Sequence, residues 1–148
     1  MIIHNIDVNS IKLYENNPRK NDQAVEAVAK SIQQFGFKVP LVIDQNNEIV
    51  CGHTRLKAAK QLGIHTVPCL IADDLTDEQI KAFRIADNKS AEFAEWDFEL
   101  LAKELEELKL ANYDLSFTAF DLSECESLLD SLKDNSSEGE NPDDDFEI

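Results

Sequence analysis

Residues 49–56, with the sequence IVCGHTRL, have the composition and spacing of an anion-binding turn. An apolar run ends at Gly52, and a helix-like segment begins directly after it. The first amides of a helix have no intrahelical acceptor and lie at the positive end of its dipole. Gly52 allows close approach of a ligand, Thr54 offers a hydroxyl, and Arg55 can donate two hydrogen bonds at once. These groups suit the binding of phosphate or another anion. The same spacing also fits a plain strand-to-helix turn with Arg55 in solvent.

His53 and Cys51 flank the glycine, and each has a reactive and a structural interpretation. The imidazole of His53 could serve as a catalytic base or a phosphate donor, or it could be an ordinary polar surface group. No Ser and Asp residues are spaced to suggest a triad with it. Cys51 ends an apolar strand, so we expect a small buried hydrophobic residue rather than a nucleophile.

A second polar group is formed by Arg84, Asp87 and Asn88. On a helix, Arg84 neighbours Asp87 at i+3 and Asn88 at i+4. The side-chain oxygens of Asp87 and Asn88 could bind a magnesium ion or a ribose. The alternative is an ordinary surface ion pair, worth about 0–1 kcal/mol.

A third candidate is the polar turn ENNPRK at residues 15–20, which leads into a helix. Pro18 favours an extended conformation at Asn17. Arg19 and Lys20 follow this turn and could face an anion or simply water.

The elements that must position these groups alternate between strands and helices. Short apolar runs predict strands near residues 2–6, 40–44, 48–51 and 66–72, and the Asn-rich turn at 45–47 predicts a hairpin. Apolar spacing and capping residues predict helices near residues 22–35, 52–62, 77–91, 98–110 and 122–132. Thr76 and Gln79 form a capping box at the start of the third helix. The pattern indicates an α+β fold.

The net charge of the chain lies entirely in its last part. Residues 1–90 contain 11 Lys and Arg and 11 Asp and Glu, whereas residues 91–148 contain 3 and 19. Nonspecific nucleic-acid binding needs Lys and Arg to displace counterions, so any DNA contact must be local or made by a partner. We expect acidic helices whose aromatic residues serve as packing anchors, unless they form a large exposed patch: Phe93, Trp96, Phe98, Phe117 and Phe120.

The composition also excludes several classes of protein. No apolar run approaches the roughly 20 residues of a membrane span, and MIIHNIDVNS lacks the pattern of a secretory signal. Cys51, Cys69 and Cys125 are far apart and outside CxxC pairs, which excludes a disulfide framework and a standard zinc finger. These features predict a cytoplasmic protein that does not contact membranes.

The motifs NPR, SIQQFGF, VPLVID, IVCGHTRLKAAKQLG, VPCLIADDLTDEQ and RIADNKSAE follow one another over about residues 6–95. This series resembles the ParB N-terminal/sulfiredoxin-like family. The run EWDFELLAKELEELKLANYDLSFTAFDL is similar to a phage and mobile-element subgroup, in which such a domain often precedes a DNA methyltransferase. We therefore expect a ParB/sulfiredoxin-like domain with a small mixed sheet at 1–96, an acidic helical extension at 97–133, and a disordered acidic tail or linker at 134–148.

The resemblance also implies a site. In ParB proteins the counterpart of residues 52–55 holds the triphosphate of CTP, and the counterpart of residues 87–88 helps to bind magnesium and nucleotide. Here the resemblance implies CTP or another nucleotide with Mg²⁺ as cofactor. It implies Asp87 as a Mg²⁺ ligand and the following nucleotide- or phosphate-binding residues: Arg19, Gly52, His53, Thr54, Arg55 and Asn88.

The function implied is that of a ParB-like accessory domain in phage or mobile-element DNA metabolism, either DNA modification or partition and regulation. Its partner would be a DNA methyltransferase domain or another DNA-modifying protein, and a homodimer is expected. Two alternatives remain open: a metal-dependent nuclease or phosphotransferase of the same fold, and an acidic protein-interaction module without nucleotide binding. Sulfiredoxin activity is not expected, because sulfiredoxins place their reactive Cys where this chain has His53.

Overall fold

The computed structural model describes residues 1–17 and 22–133. The chain forms two compact units, and the boundary between them lies between Ala94 and Glu95. Within the described ranges, no helix combines the length and the apolar content that a membrane crossing requires. The predicted phosphate-binding residue Arg19 lies outside the described residues. The predicted acidic tail or linker at 134–148 lies outside them as well.

The first unit is built on a four-stranded mixed sheet. Its strands are β1 (His4–Asp7), β2 (Leu41–Asp44), β3 (Ile49–Cys51) and β4 (Thr66–Ala72). The strand order is β1-β4-β2-β3, with β4 parallel to β2 and the two outer pairs antiparallel. Alternate residues of β2 and β4 are fully buried, so one face of the sheet carries the core. The predicted α+β class is confirmed, and the first strand begins two residues later than predicted.

The predicted hairpin between β2 and β3 is also present. The Asp44 carboxylate accepts hydrogen bonds from the amides of Asn46, at 2.8 Å, and Glu48, at 2.9 Å. Asn47 occupies the left-handed region with φ of 63°, a conformation that Asn tolerates better than most residues. Local side-chain chemistry therefore closes this turn and sets where β3 begins.

Three helices complete the first unit: α1 (Asp22–Phe35), α2 (His53–Gln61) and α3 (Asp77–Glu92). Leu56 and Ala59 of α2 pack with the buried strand residues, while Ala58 packs against the apolar stripe of α1. The predicted capping box opens α3, since the Thr76 hydroxyl accepts from the Gln79 amide and the Gln79 side chain accepts from the Thr76 amide. The sequence pattern thus locates all three helices to within about two residues.

The second unit contains α4 (Phe98–Leu110), a 3₁₀ helix (Leu115–Thr118) and α5 at residues 122–133. The Asp97 carboxylate accepts from the amide of Leu100 and caps α4. Asp121 and Glu124 form a reciprocal capping box at the start of α5. Among residues 95–133, the buried ones are Ala102, Leu105, Cys125 and Leu129.

The prediction that five aromatic residues anchor the acidic helices is wrong for three of them. Phe93, Trp96 and Phe98 are 74%, 60% and 60% exposed. The buried stripe of α4 consists instead of Ala102 and Leu105, which leaves no core position for the Phe98 ring at the first turn of the helix. Within the second unit, Trp96 does contact the half-buried ring of Phe120, at a centroid distance of 5.4 Å.

The turn from β3 into α2 depends on Gly52. Its φ of 102° and ψ of 28° lie in the left-handed region, which costs a residue with a side chain about 1–3 kcal/mol. A Cβ atom at this position would also lie 2.5 Å from Cδ2 of Leu41. Gly63, which follows α2, has a φ of 73°, but a Cβ there would meet no atom within 4 Å.

These two glycines form a matched pair for a stability test. Gly63→Ala should cost about 1 kcal/mol from the backbone conformation alone. Gly52→Ala should cost about 2–4 kcal/mol, because overlap with Leu41 adds to the same kind of strain. Urea unfolding followed by circular dichroism measures both values, and equal losses in the two variants would contradict the packing argument.

Candidate functional site

Gly52 places the first turn of α2 at the end of β3. No acidic residue occupies this turn, and Gly52 has no side chain that could cap it. The amides at the start of α2 therefore keep their partial positive charge without a neighbouring carboxylate from the helix itself. Thr54 is half-buried in this turn. The backbone arrangement is the one that the sequence pattern predicts for residues 52–55.

His53 is buried rather than a surface group. Its side chain is only 8% exposed, and Nε2 has no hydrogen-bond partner among the described residues. Burial lowers the pKa of His53 to about 4, and the positive charges of Arg84 and Lys57 act in the same direction. The imidazole is consequently neutral at pH 7, where it can donate or accept one hydrogen bond at Nε2.

Arg55 is held against the protein and does not extend into solvent. Its Nη2 donates a hydrogen bond to the carbonyl oxygen of Pro40 at 3.1 Å, and its Nε is buried without a partner in the described part of the chain. Burial lowers the pKa of Arg55, while Cys51 and Asp87 oppose that change. The interpretation with a solvated Arg55 is therefore wrong.

Arg84 departs most from the prediction. The sequence suggested a surface ion pair with Asp87, but the side chain is 3% exposed and turns toward the sheet. Its Nη2 donates to the carbonyl oxygen of Ile49 at 3.0 Å and lies 3.9 Å from Oε1 of Glu48. Its guanidinium carbon lies 3.5 Å from the centroid of the Tyr14 ring. This contact is close enough for a cation–π interaction.

A sequence signal for this burial exists. Ile80 and Arg84 are four residues apart on α3 and therefore share one helix face. They are the buried residues of that helix. An arginine one turn after a core isoleucine indicates that the guanidinium group is buried. The spacing between Arg84 and Asp87 alone indicates an ion pair on the protein surface. Nothing in the sequence indicates that Tyr14 and Glu48 lie near Arg84. That proximity depends on the pairing of segments distant in sequence, as in the isolated bridge between Lys12 and Glu48.

Asp87 and Asn88 have different environments. Burial raises the pKa of the Cys51 thiol to about 12, and the nearby Asp87 carboxylate acts in the same direction. Cys51 is therefore protonated at pH 7, which agrees with a structural rather than a nucleophilic cysteine, but it is half-buried and not buried as predicted. Asn88 Nδ2 donates to the carbonyl oxygen of Arg84 at 3.0 Å, within its own helix. Asp87 faces the glycine turn, and the Asn88 amide faces its own backbone.

Three buried side-chain nitrogens in the described residues have no hydrogen-bond partner: His53 Nε2, Arg55 Nε and Arg84 Nε. All three belong to residues grouped around the Gly52 turn, as the electrostatic coupling among His53, Arg55, Arg84 and Asp87 shows. An unpaired buried polar group costs about 1–3 kcal/mol. This concentration of unpaired buried nitrogens makes the Gly52 turn the candidate site in the described part of the chain.

Magnesium has limited support from side chains in this region. Among residues 1–17 and 22–133, no group of three or more His, Cys, Asp or Glu side chains is arranged to hold a metal ion. Asp87 is the single carboxylate that electrostatic coupling places with Cys51 and Arg55. Mg²⁺ is commonly bound by one or two carboxylates together with phosphate oxygens and water, so Asp87 fits that limited role.

Comparison with known proteins gives the family. Residues 1–89 match the ParB N-terminal domain, and residues 99–148 match the ParB-methyltransferase HTH domain. The chain belongs to the ParB N-terminal domain family. This confirms the resemblance seen in the order of the motifs.

Individual relatives agree with this assignment. The ParB-like nuclease domain-containing protein YnaK of Escherichia coli K12 is 40% identical over 67 residues, which cover 45% of this chain and 77% of YnaK. A probable chromosome-partitioning protein ParB of Rickettsia felis is 33% identical over 72 residues, covering 47% of this chain and 25% of that protein. The chain thus matches most of YnaK but about a quarter of that partitioning protein.

A solved structure shares the fold. The C-terminally truncated chromosome-partitioning protein ParB from Caulobacter crescentus, complexed with CTP-γ-S, superposes with a TM-score of 0.67 at 20% identity. The superposition covers 80% of this chain and 69% of that chain. The predicted ParB-like architecture is therefore confirmed.

The helix-turn-helix match was not predicted from the sequence. For residues 97–133 we predict an acidic helical extension, whose charge disfavours nonspecific contact with nucleic acid. The similarity of residues 95–122 to the methyltransferase-associated subgroup is confirmed, whereas the helix-turn-helix character of this region was missed because of its acidic composition. Charge indicates what a surface attracts, and it does not define the fold that carries the charge.

The buried histidine generates a pH prediction. The unfolded imidazole takes up a proton near pH 6.5, while the folded one does so only near pH 4. The unfolded state therefore binds more protons in this window, so His53 makes the free energy of unfolding fall as pH drops from about 6.5 toward 4. His53→Gln should show a smaller loss across this range, measured by urea unfolding at a series of pH values.

His65→Gln is the matched control, because His65 is exposed and lies outside the site. This variant should keep the pH dependence of the wild-type protein. If His53→Gln loses as much stability on acidification as wild type does, the imidazole does not resist protonation in the folded state.

Proposed function

We propose that this chain is a ParB-like accessory module that binds a nucleotide with Mg²⁺, or another phosphate-bearing ligand, at the turn formed by residues 52–55. In this proposal it acts in phage or mobile-element DNA metabolism, in DNA modification or in partition and regulation. The chain's established kinship with chromosome-partitioning proteins supports the proposal. The location of the ligand is inferred from the chemistry of the site.

The observation that carries the proposal is the set of unpaired buried nitrogens beside an uncapped helix start. An anion seated at the amides of α2 would meet the positive charges of Arg55 and Arg84, which the carboxylates of Asp87 and Glu48 offset in part. In a partly buried site these charges are screened less than at the surface. A phosphate group satisfies both the amides and the charge.

Each side chain then has a role in binding. Arg55 is already oriented by its hydrogen bond to Pro40, which reduces the entropy lost when it contacts a ligand. Neutral His53 can donate one hydrogen bond to a phosphate oxygen without adding charge. Asp87 would hold Mg²⁺, which would neutralise phosphate charge when bound. These groups bind and orient an anion.

CTP is the first nucleotide to test. The structurally similar ParB of Caulobacter crescentus is complexed with CTP-γ-S, and the motif order of this chain resembles CTP-binding ParB proteins. This chain has His53 and Thr54 where those proteins carry an acidic residue and an Arg. One fixed cation is therefore lost from the turn, and the buried Arg84 supplies a positive charge from another element.

A DNA methyltransferase domain or another DNA-modifying protein is the proposed partner. The match of residues 99–148 to the ParB-methyltransferase HTH domain supports this association. DNA contact in this proposal is local or made through the partner, because residues 91–148 are strongly acidic. A homodimer remains part of the proposal.

Thermal unfolding with CTP, ATP, ADP and GTP, each with Mg²⁺, tests the site. A nucleotide at about 100 times its Kd should stabilise the protein by about 2.7 kcal/mol, which raises Tm by roughly 10 °C or more for a unit of this size. Arg55→Ala should lose this shift, and Arg55→Lys should retain part of it, because Lys keeps the charge without the planar fork.

Lys60→Ala is the matched control, since Lys60 is exposed in the last turn of α2. It removes one positive charge from the same helix and should keep the full shift. Each shift is taken relative to the ligand-free Tm of the same variant, because Arg55→Ala also loses the bond to Pro40. Equal shifts in wild type and Arg55→Ala, or no stabilisation at millimolar nucleotide, would contradict the proposal.

A further inference from the structure

The second unit contains an apolar groove that the nucleotide site does not involve. It has a volume of about 290 Å³ and lies among the end of α4, the 3₁₀ helix and α5. Cys125 and Leu129 are 3% and 9% exposed and line its interior, and the half-buried ring of Phe120 also borders it. Leu122 also lines the groove and is 75% exposed. An apolar side chain therefore stands in solvent beside an apolar depression.

The size of the groove limits its occupants. Small-molecule and cofactor sites span about 300–1,000 Å³, so the volume of this groove lies just below that range. It has room for one or two bulky side chains but is small for a complete nucleotide. Insertion of an apolar anchor from a peptide or protein segment is the binding mode that fits this size.

The negative charge of the second unit favours a positively charged partner. Residues 95–133 contain 11 Asp and Glu against 3 Lys. Asp114 and Glu126 border the groove together with Lys109. Duplex DNA would be repelled by this charge, whereas a Lys- and Arg-rich segment would be attracted and oriented by it.

We propose that this groove binds an amphipathic, Lys- and Arg-rich segment of a partner protein, which inserts one apolar side chain between Phe120, Leu122 and Leu129. The helical unit would thus act as a protein-docking module, although its family is described as helix-turn-helix. The proposal is independent of the nucleotide site, because all of its residues lie in the second unit. It identifies the partner by chemistry, as a basic segment with an apolar face.

The probe for the test is a fluorescein-labelled Leu/Lys peptide designed as an amphipathic helix, titrated with the full chain at low ionic strength. Leu122→Ser should weaken binding about tenfold, which is typical of losing an apolar anchor contact. Leu100→Ser is the matched control, because Leu100 is 58% exposed in the same unit and does not line the groove. It should leave the affinity within about twofold.

Charge variants test the second part of the proposal. Glu126→Lys, at the groove, should weaken peptide binding more than Glu106→Lys, which is exposed on α4 away from the groove. Added salt should weaken binding of the wild-type protein. Circular dichroism of each variant confirms that the helices are retained, and both serine variants replace exposed residues.

Several results would overturn the proposal. One is equal binding of a peptide with the same composition and a scrambled order, which would indicate attraction by bulk charge. Another is duplex DNA binding that Leu122→Ser abolishes, which would assign the groove to nucleic acid. If sedimentation shows a dimer that Leu122→Ser disrupts, the groove is instead occupied by a second copy of the chain. Tighter peptide binding by Phe146→Ser would assign it to the chain's own C-terminal segment.

Discussion

The chain passes from β3 into α2 through one left-handed residue, Gly52, in a space where a methyl group would overlap Leu41. This constraint joins three elements, because Leu41 begins β2 and the Arg55 guanidinium, one turn into α2, bonds to the preceding carbonyl of Pro40. The helix start is thereby fixed against the sheet before any ligand arrives. Its amides and the buried imidazole of His53 are presented in one orientation, which is the preorganisation that anion binding needs.

Arg84 contacts the strand that leads into this turn, through its hydrogen bond to the Ile49 carbonyl. A buried guanidinium is costly unless its donors are satisfied, and Arg84 satisfies Nη2 through the Ile49 carbonyl while Nε stays unpaired. The same charge adds to the effect of burial in lowering the pKa of His53, and it lies over the Tyr14 ring. The first unit therefore accepts buried, incompletely paired positive charge at one place in an otherwise apolar core. Such a local departure from stability is typical of a functional site.

Local signals predicted most of the elements, and tertiary context decided the site. The apolar stripe of α1, the caps at Thr76 and Asp97, and the Asn-rich hairpin each depend on neighbours within a few residues, so the sequence was sufficient for them. The glycine turn was also predicted. The burial of Arg84 and the contact with Tyr14 depend on which strand α3 packs against, and the exposure of Phe98 depends on which stripe of α4 is covered. Spacing along one helix can indicate that Arg84 is buried, but it determines neither the contact with Tyr14 nor the exposure of Phe98.

The two units have different electrostatic character, with balanced charge up to residue 90 and a strong acidic excess beyond it. We propose that an anion binds at the Gly52 turn, where the first unit brings the half-buried Arg55 and the buried Arg84 together. Titration of the ¹⁵N-labelled full chain with Mg²⁺ and CTP, followed by NMR, tests this proposal. We expect the largest chemical-shift changes at the backbone amides of residues 52–55 and at the imidazole of His53. Unchanged signals there, or shifts confined to residues 95–133, would contradict it.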